Sequence, residues 1–339
     1  MRLFHNARTY SFDIPSRRFV LGRSLAIDAE KITAVDDEPT GTGIERIDLD
    51  GATILPAMTD CHVHLAACGY LSGERDLSRV DSYRAYAAAV ERLVERDGIV
   101  MGGRYDDALW PDGFADAAPL SRQHAESIAM LARVDSHSCI VNEKTMAWLD
   151  LPPHTDGIER DADGNPTGRL VRDANWQAQS RFSERIPTAV RRDAERRAVE
   201  LALSRGVAHL HAQLVGFTKA QYAEEVAAMR ALPANVHSKI CEPDAQLAQR
   251  FDLPYVGGDV FLDGSIGSGT AAMSRPYADG KRGSLRFDDE EVFAYFHGAE
   301  RLGIGAGVHA IGDEAIDQAV RVWSRVLRDR PSGNGARHF

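Results

Sequence analysis

Five stretches carry residue types whose spacing suits chemistry. In Asp60-Cys61-His62-Val63-His64 the histidines close an apolar run, Ile54–Met58, that reads as a strand. Residues two apart on a strand point to one side. His62 and His64 can therefore offer two imidazole nitrogens to one metal ion, and imidazole suits zinc, iron and nickel alike. Chance is the plain alternative, because the chain has 12 histidines. A second pair, His209-Leu210-His211, reads better as a polar strand end lining a cavity. The third stretch is Gly307-Val308-His309-Ala310-Ile311-Gly312-Asp313. Its His309 ends a strand beside a turn and is placed for a ligand, while Asp313 suits helix capping at least as well as catalysis. The fourth runs from Asp259 through Asp263 into the Gly/Ser-rich segment Gly264–Thr270. Such a loop allows close backbone approach to a ligand, but its G-x-x-G-x-G spacing is not a dinucleotide fingerprint. The fifth, Arg133 to Asn142, holds Ser136, His137 and Asp135 close together. Triad members rarely lie so close in sequence and no G-x-S-x-G elbow is present, so a serine hydrolase is rejected.

The elements that must position these residues follow from periodicity. Alternation in Met1–Phe12, Phe19–Val35 and Ile47–Leu55 predicts a small all-β unit over residues 1–56, with turn chemistry at Asp36–Gly43. Asp81–Arg96 reads as a helix capped by Ser82 and followed by Gly98. From Pro187 helices and strands alternate: strands at Val207–Leu214, Val236–Cys241, Asp259–Leu262, Gly305–Ala310 and Ala336–Phe339, with helices between them. Parallel strands need crossovers, so this alternation implies an α/β parallel sheet, and a parallel barrel keeps its chemistry at the C-terminal strand ends. Residues 66–186 contain apolar runs at Ile99–Met101 and Ile128–Leu131. Periodicity leaves open whether these are barrel strands or an insertion.

Composition bounds the partners. The chain has 339 residues, 44% apolar and 27% charged, with a formal net charge of −10. That is ordinary for a globular protein of about two domains, or of one barrel with an accessory piece. An acidic balance argues against nucleic acid as a partner. No apolar run is long enough to span a membrane and no signal peptide opens the chain, so the expected location is cytoplasmic, without a membrane partner. The four cysteines, Cys61, Cys68, Cys139 and Cys241, form no C-x-x-C pair. They are expected to be buried free thiols.

Together the motifs resemble a family. Leu55-Pro56-Ala57-Met58-Thr59-Asp60-Cys61-His62-Val63-His64-Leu65 resembles the first-strand signature LPGxxDxHxHL of the amidohydrolase superfamily. Val134–Asn142 resembles its DxHxxxxN segment, Asp163–Leu170 its DGxPTGxL, and Gly206–Ala212 its GVTxxHD. Phe261–Tyr277 resembles xFxDGSxGSxTAxxxxPY, and His309–Asp313 matches HAIGD. The branch is the one that includes N-substituted formamide deformylases.

The resemblance implies a (β/α)8 TIM-like barrel over residues 57–339 beside a composite β-sandwich to which residues 1–56 contribute, with 66–186 mainly an insertion after the first barrel strand. It implies His62, His64 and His309 as metal ligands and a divalent metal, zinc, as cofactor; His137, Asp263, Asp313 and Trp110 are substrate-pocket candidates, with a core or packing role equally open for Trp110. The family often has a Lys four residues before the Asp of DGS, where a carbamate bridges two metals. Here Asp259 stands there, which favours one ion; a hydrogen-bonded carboxylate is a simpler role for Asp259 than ligation. The family continues with RHxIEH, whereas this chain reads Arg337-His338-Phe339 and stops. The expected barrel is therefore incomplete, the late catalytic Asp has no counterpart, and self-association into a homo-oligomer is one way to cover the open edges. The implied activity is hydrolysis of a non-peptide carbon–nitrogen bond, an amide or formamide of a small molecule, by attack of metal-bound water. The alternatives are a truncated, non-catalytic remnant that binds metal or ligand, and a deaminase of the same superfamily.

Overall fold

The computed structural model describes residues 1–13, 15–71, 75–215 and 217–329. Two compact units emerge: residues 1–59 with 206–208, and residues 60–205 with 209–339. The expected strand at Ala336–Phe339 lies outside the described residues.

The first unit is built from β1 (Arg2–His5), β2 (Arg8–Asp13), β3 (Arg18–Gly22), β4 (Leu25–Asp28), β5 (Lys31–Val35), β6 (Glu45–Asp48) and β7 (Thr53–Ile54). These form a four-stranded sheet ordered β5-β4-β1-β6 and a three-stranded sheet ordered β3-β2-β7.

The chain leaves this unit along β8 (Met58–Val63) and enters α1 (Leu65–Tyr70) and α2 (Tyr83–Val90). Ser82 caps α2 by accepting from the Ala85 amide. The helix stops at Val90, short of the expected Arg96, because the chain tightens into turns there. The amides of Arg92 and Leu93 bond three residues back, and Arg96 pairs with Ile99. Next come β9 (Ile99–Tyr105), α3 (Ala118–Gln123), β10 (Ile128–Arg133), β11 (Ser138–Val141), α4 (Glu143–Leu149), β12 (Ile158–Arg160), β13 (Pro166–Val171) and α5 (Arg172–Arg185). Their strands form a separate sheet, β12-β13-β11-β10-β9. The apolar runs at Ile99–Met101 and Ile128–Leu131 are thus paired parallel strands of this second sheet, not of the barrel sheet. Its core includes Tyr86, Val100, Tyr105, Leu120, Leu131 and Ile140.

Helices and strands alternate as expected, though β16 begins at Tyr255, four residues before the expected Asp259: α6 (Thr188–Ser204), β14 (Val207–Leu214), α7 (Tyr222–Arg230), β15 (Asn235–Ile240), α8 (Ala245–Arg250), β16 (Tyr255–Phe261), α9 (Asp289–Leu302), β17 (Gly305–His309) and α10 (Asp313–Arg328). The strands assemble as β17-β16-β15-β14-β8, with β14 to β17 pairing in parallel. Local sequence sets the helix limits. Asp288 and Glu291 form a reciprocal capping box that starts α9, and Gly303 ends it at a φ of 69°. Asp244 caps α8 through the amides of Gln246 and Leu247.

Two of the four cysteines depart from expectation. Cys139 is buried, but Cys61 and Cys68 are exposed. Cys61 immediately precedes His62 near the end of β8.

Candidate metal centre

The C-terminal ends of β8, β16 and β17 bring together groups distant in sequence. His62 lies in β8 and His64 is the cap residue of α1. Both Nε2 atoms face one oxygen of Asp259: Oδ2 is 3.2 Å from His62 and 2.9 Å from His64. Backbone geometry aims this carboxylate. Gly257 and Gly258 have φ of 75° and 109°, values costly for side-chain-bearing residues, and the pairing of β16 with β17 shifts register after Gly257. A Cβ on Gly257 would sit 2.2 Å from the Tyr295 hydroxyl and 2.3 Å from the Gly307 carbonyl. The strand thus bends where no side chain fits, and Asp259 follows two residues on.

The ligand-type atoms of His62, His64 and Asp259 all lie within 4.8 Å of one another, the one such group of three among the described residues. Two imidazole nitrogens and a carboxylate oxygen at these separations suit a divalent cation with nitrogen and oxygen preference. His309 stands at the margin, its Nδ1 4.0 Å from Asp259 Oδ1. Its Nε2 lies 3.2 Å from the Gly264 carbonyl. A carbonyl only accepts, so this bond places the proton on Nε2 and leaves the Nδ1 lone pair toward Asp259.

Electrostatics agree with the geometry. Burial pushes the Asp259 carboxyl up, yet the hydrogen bonds from His62 and His64 outweigh it and hold the group well below the carboxylate range. Asp259 is 4% exposed, so it needs these partners. The same hydrogen bond raises the pKa of His62 against its partial burial. Lys239, buried at the end of β15, donates to the Cys61 carbonyl at 3.3 Å, and burial pulls its ammonium below the usual lysine range.

The remaining sequence candidates separate. His137 is buried beside the centre, its ring 4.7 Å from that of His309, and burial, with the nearby imidazole of His309 disfavouring a second positive charge, lowers its pKa to about 4. Asp263 accepts from the backbone amides of Ile311, Gly312 and Ala272 at 3.0, 2.7 and 2.9 Å, so it clamps the turn after His309. Asp313 does not cap its helix; Gly312 occupies that position, and the Asp313 carboxylate binds the amide and hydroxyl of Ser274. Trp110 belongs to the aromatic core of the second sheet, near Tyr86 and Tyr105, and its Nε1 donates to the Val80 carbonyl at 3.2 Å. His211 pairs with His237 at 5.1 Å between ring centres, apart from the group of three. Asp259 is a hydrogen-bonded carboxylate, the simpler of its two sequence readings, and nothing in the sequence marks Trp176. The Trp176 ring stacks on Phe261 at 4.4 Å, and both contact His137. Trp176 sits within a helix that carries no local motif, whereas Asp259 was marked by its place in β16 four residues before Asp263.

Comparison with known proteins gives the chain its relatives. The model of the amidohydrolase family matches residues 45–338. Protein LONG AFTER FAR-RED 3 of Arabidopsis thaliana is 26% identical over 338 residues, covering 89% of this chain and 58% of that protein. A Bacillus subtilis relative is 27% identical over 317 residues, and 58% of its length is likewise covered. The chain thus spans little more than half the length of these two curated relatives. Among solved structures, uncharacterized metal-dependent hydrolases from Pyrococcus furiosus and Pyrococcus horikoshii share the fold, with TM-scores of 0.66 and 0.69. They are 24% and 23% identical; each alignment covers 96% of this chain, and 70% and 68% of those chains.

Proposed function

This chain belongs to the amidohydrolase family, and we propose that it is a metal-dependent hydrolase of a carbon–nitrogen bond in a small molecule, an amide or formamide. The observation that carries the reading is the convergence of His62, His64 and Asp259 on one point. In this reading these three side chains hold one divalent ion, zinc, with His309 as a further ligand through Nδ1. The ion, when bound, polarises a carbonyl and eases deprotonation of water. Asp259 supplies the fixed negative charge that keeps the imidazoles oriented. His137 is neutral at physiological pH, because its pKa lies near 4. Its ring, with those of Trp176 and Phe261, forms an apolar aromatic wall beside His309. That wall excludes water from one side of the centre and offers a face to an apolar substituent.

A second reading is a protein that binds the ion and turns nothing over. It is favoured by one observation: Asp259 is the single carboxylate in the group of three, and it is committed to both imidazoles. One experiment decides. The purified chain is loaded with zinc, bound metal is counted, and amine release is followed from a panel of N-substituted formamides and simple amides. The hydrolase reading expects about one ion per chain and zinc-dependent release, both lost in His62→Ala. Bound zinc without release from any compound supports the second reading. A well-folded chain that retains no zinc sinks both.

A further inference from the structure

His309 is gripped from two sides, and both grips lead to one half-buried carboxylate, Asp135, in the loop between β10 and β11. One oxygen of Asp135, Oδ2, accepts from the Ser265 hydroxyl at 2.6 Å and the Ser268 hydroxyl at 2.9 Å. These serines belong to the loop that follows β16. Within it the Ser265 amide donates to Thr270 Oγ1 at 3.0 Å, and the Gly264 amide donates to the Thr270 carbonyl at 3.2 Å. The loop is therefore closed on itself, and its Gly264 carbonyl is the group that accepts from His309 Nε2. The other oxygen of Asp135, Oδ1, accepts from the His137 amide at 3.1 Å, and the His137 ring lies 4.7 Å from the His309 ring. Asp135 is itself braced. Arg133, buried with a 3% exposed side chain, donates to it at 2.9 Å and also to Asp106 and to Asp107. Gly267 leaves room for this brace, since a Cβ there would sit 2.4 Å from Arg133 Nη1.

We propose that Asp135 is a positioning residue for the candidate metal centre: it holds the Gly264 carbonyl and the His137 ring so that His309 keeps its proton on Nε2 and its Nδ1 directed toward Asp259. The proposal rests on the reading of His309 as a ligand given above. The physical reason is ordinary. A ligating imidazole needs its second nitrogen bonded to a fixed acceptor, and loss of such a partner weakens metal binding by about 10–100-fold. A hydroxyl-lined loop has many conformations of similar energy. A carboxylate that collects two of its hydroxyls selects one.

The test has two arms on the whole chain. The first needs no metal: nitrogen-15 spectra of histidine-labelled protein report which ring nitrogen of His309 carries the proton, with the signal assigned by His309→Ala. The wild type is expected to show the Nε2-protonated form. Asp135→Ala and the milder Ser265→Ala/Ser268→Ala, which keeps the Arg133 brace, are expected to show a mixture of forms. The second arm measures zinc affinity by chelator competition. Asp135→Ala is expected to weaken binding about tenfold in the wild type and by less than about twofold in a His309→Ala background. An unchanged His309 tautomer in the folded serine variant overturns the proposal. So does an equal affinity loss in both backgrounds, which would mean that Asp135 acts on the fold at large. A wild type that binds no zinc refutes the metal reading separately, and the tautomer arm still decides the positioning role.

Discussion

Replacing Asp259 by Asn is the sharpest perturbation of the candidate centre. The side chain keeps its shape but loses its charge, and one of its two oxygens becomes a donor. In the wild type both His62 and His64 bond Oδ2, at 3.2 and 2.9 Å. Hydrogen bonds to a charged group contribute about 1.5–3 kcal/mol when buried. Here the imidazoles are 47% and 44% exposed, so solvent screening cuts each to about 1 kcal/mol or less. The metal-free variant should therefore lose about 1–2 kcal/mol, a fall of roughly 1.5–3 °C in melting temperature for a chain of 339 residues. The metal-dependent effect is larger. Loss of even an outer partner of a ligand weakens binding by about 10–100-fold, and loss of an anionic ligand should reach at least the upper figure. At zinc held at about 100 times the wild-type Kd, binding stabilises the wild type by about 2.7 kcal/mol. The variant, binding about 100-fold more weakly, gains only about 0.4 kcal/mol at the same zinc concentration. Melting curves with and without zinc should show an upshift of several degrees in the wild type and about one degree in Asp259→Asn. An equal zinc-induced upshift in both proteins would refute the ligand role and leave Asp259 as a hydrogen-bond acceptor for the histidines.

Three further outcomes are expected. Trp110→Ala should cost about 2–3 kcal/mol in urea unfolding, since its ring packs among Tyr86 and Tyr105, and should leave zinc affinity unchanged; a selective loss of affinity would place it at the centre after all. Gly257→Ala should destabilise by more than about 2 kcal/mol, because the positive φ and the contact with Tyr295 and Gly307 add together; a neutral result in the same urea assay would mean that the strand relaxes freely there. The Asp135 carboxyl is pushed up by burial but lowered further by Ser265 and Arg133, so its pKa is depressed in the fold. A depressed acid stabilises the fold above its unfolded pKa of about 4, and that contribution is lost as pH falls through the folded value. The stability gap between wild type and Asp135→Asn should thus be constant above about pH 5 and shrink below about pH 4; a gap independent of pH down to 3 would contradict this.

Much of the fold was legible because the period of the apolar pattern is local. The strand at Val207–Leu214 has the bounds expected, since its alternation and the glycine before it lie beside each other in the chain. The long helix expected over Asp81–Arg96 was half right: Ser82 is a local signal, but the tightening after Val90 is imposed by the pairing of Arg96 with Ile99. Strand period placed His62 and His64 on one side, but it did so equally for His209 and His211, and only the sequence context separated the two pairs. The hydrogen-bonded role of Asp259 was legible, but its partners were not, because its aim depends on a bend at two glycines and they lie nearly two hundred residues earlier. Asp135 stands two residues before His137, and in sequence it offers only an improbable local triad. Its partners, Ser265 and Ser268, lie 130 and 133 residues away, and no spacing rule connects them.

Aspartate at position 259 has a bearing on how the site comes into being. A lysine in that place becomes an acid only after capturing carbon dioxide, a reversible reaction whose extent follows dissolved bicarbonate. Asp259 carries its oxygens from synthesis onward and already holds His62 and His64 through one of them. The acceptor these histidines share is therefore genetically encoded and does not vary with the bicarbonate supply of the cell.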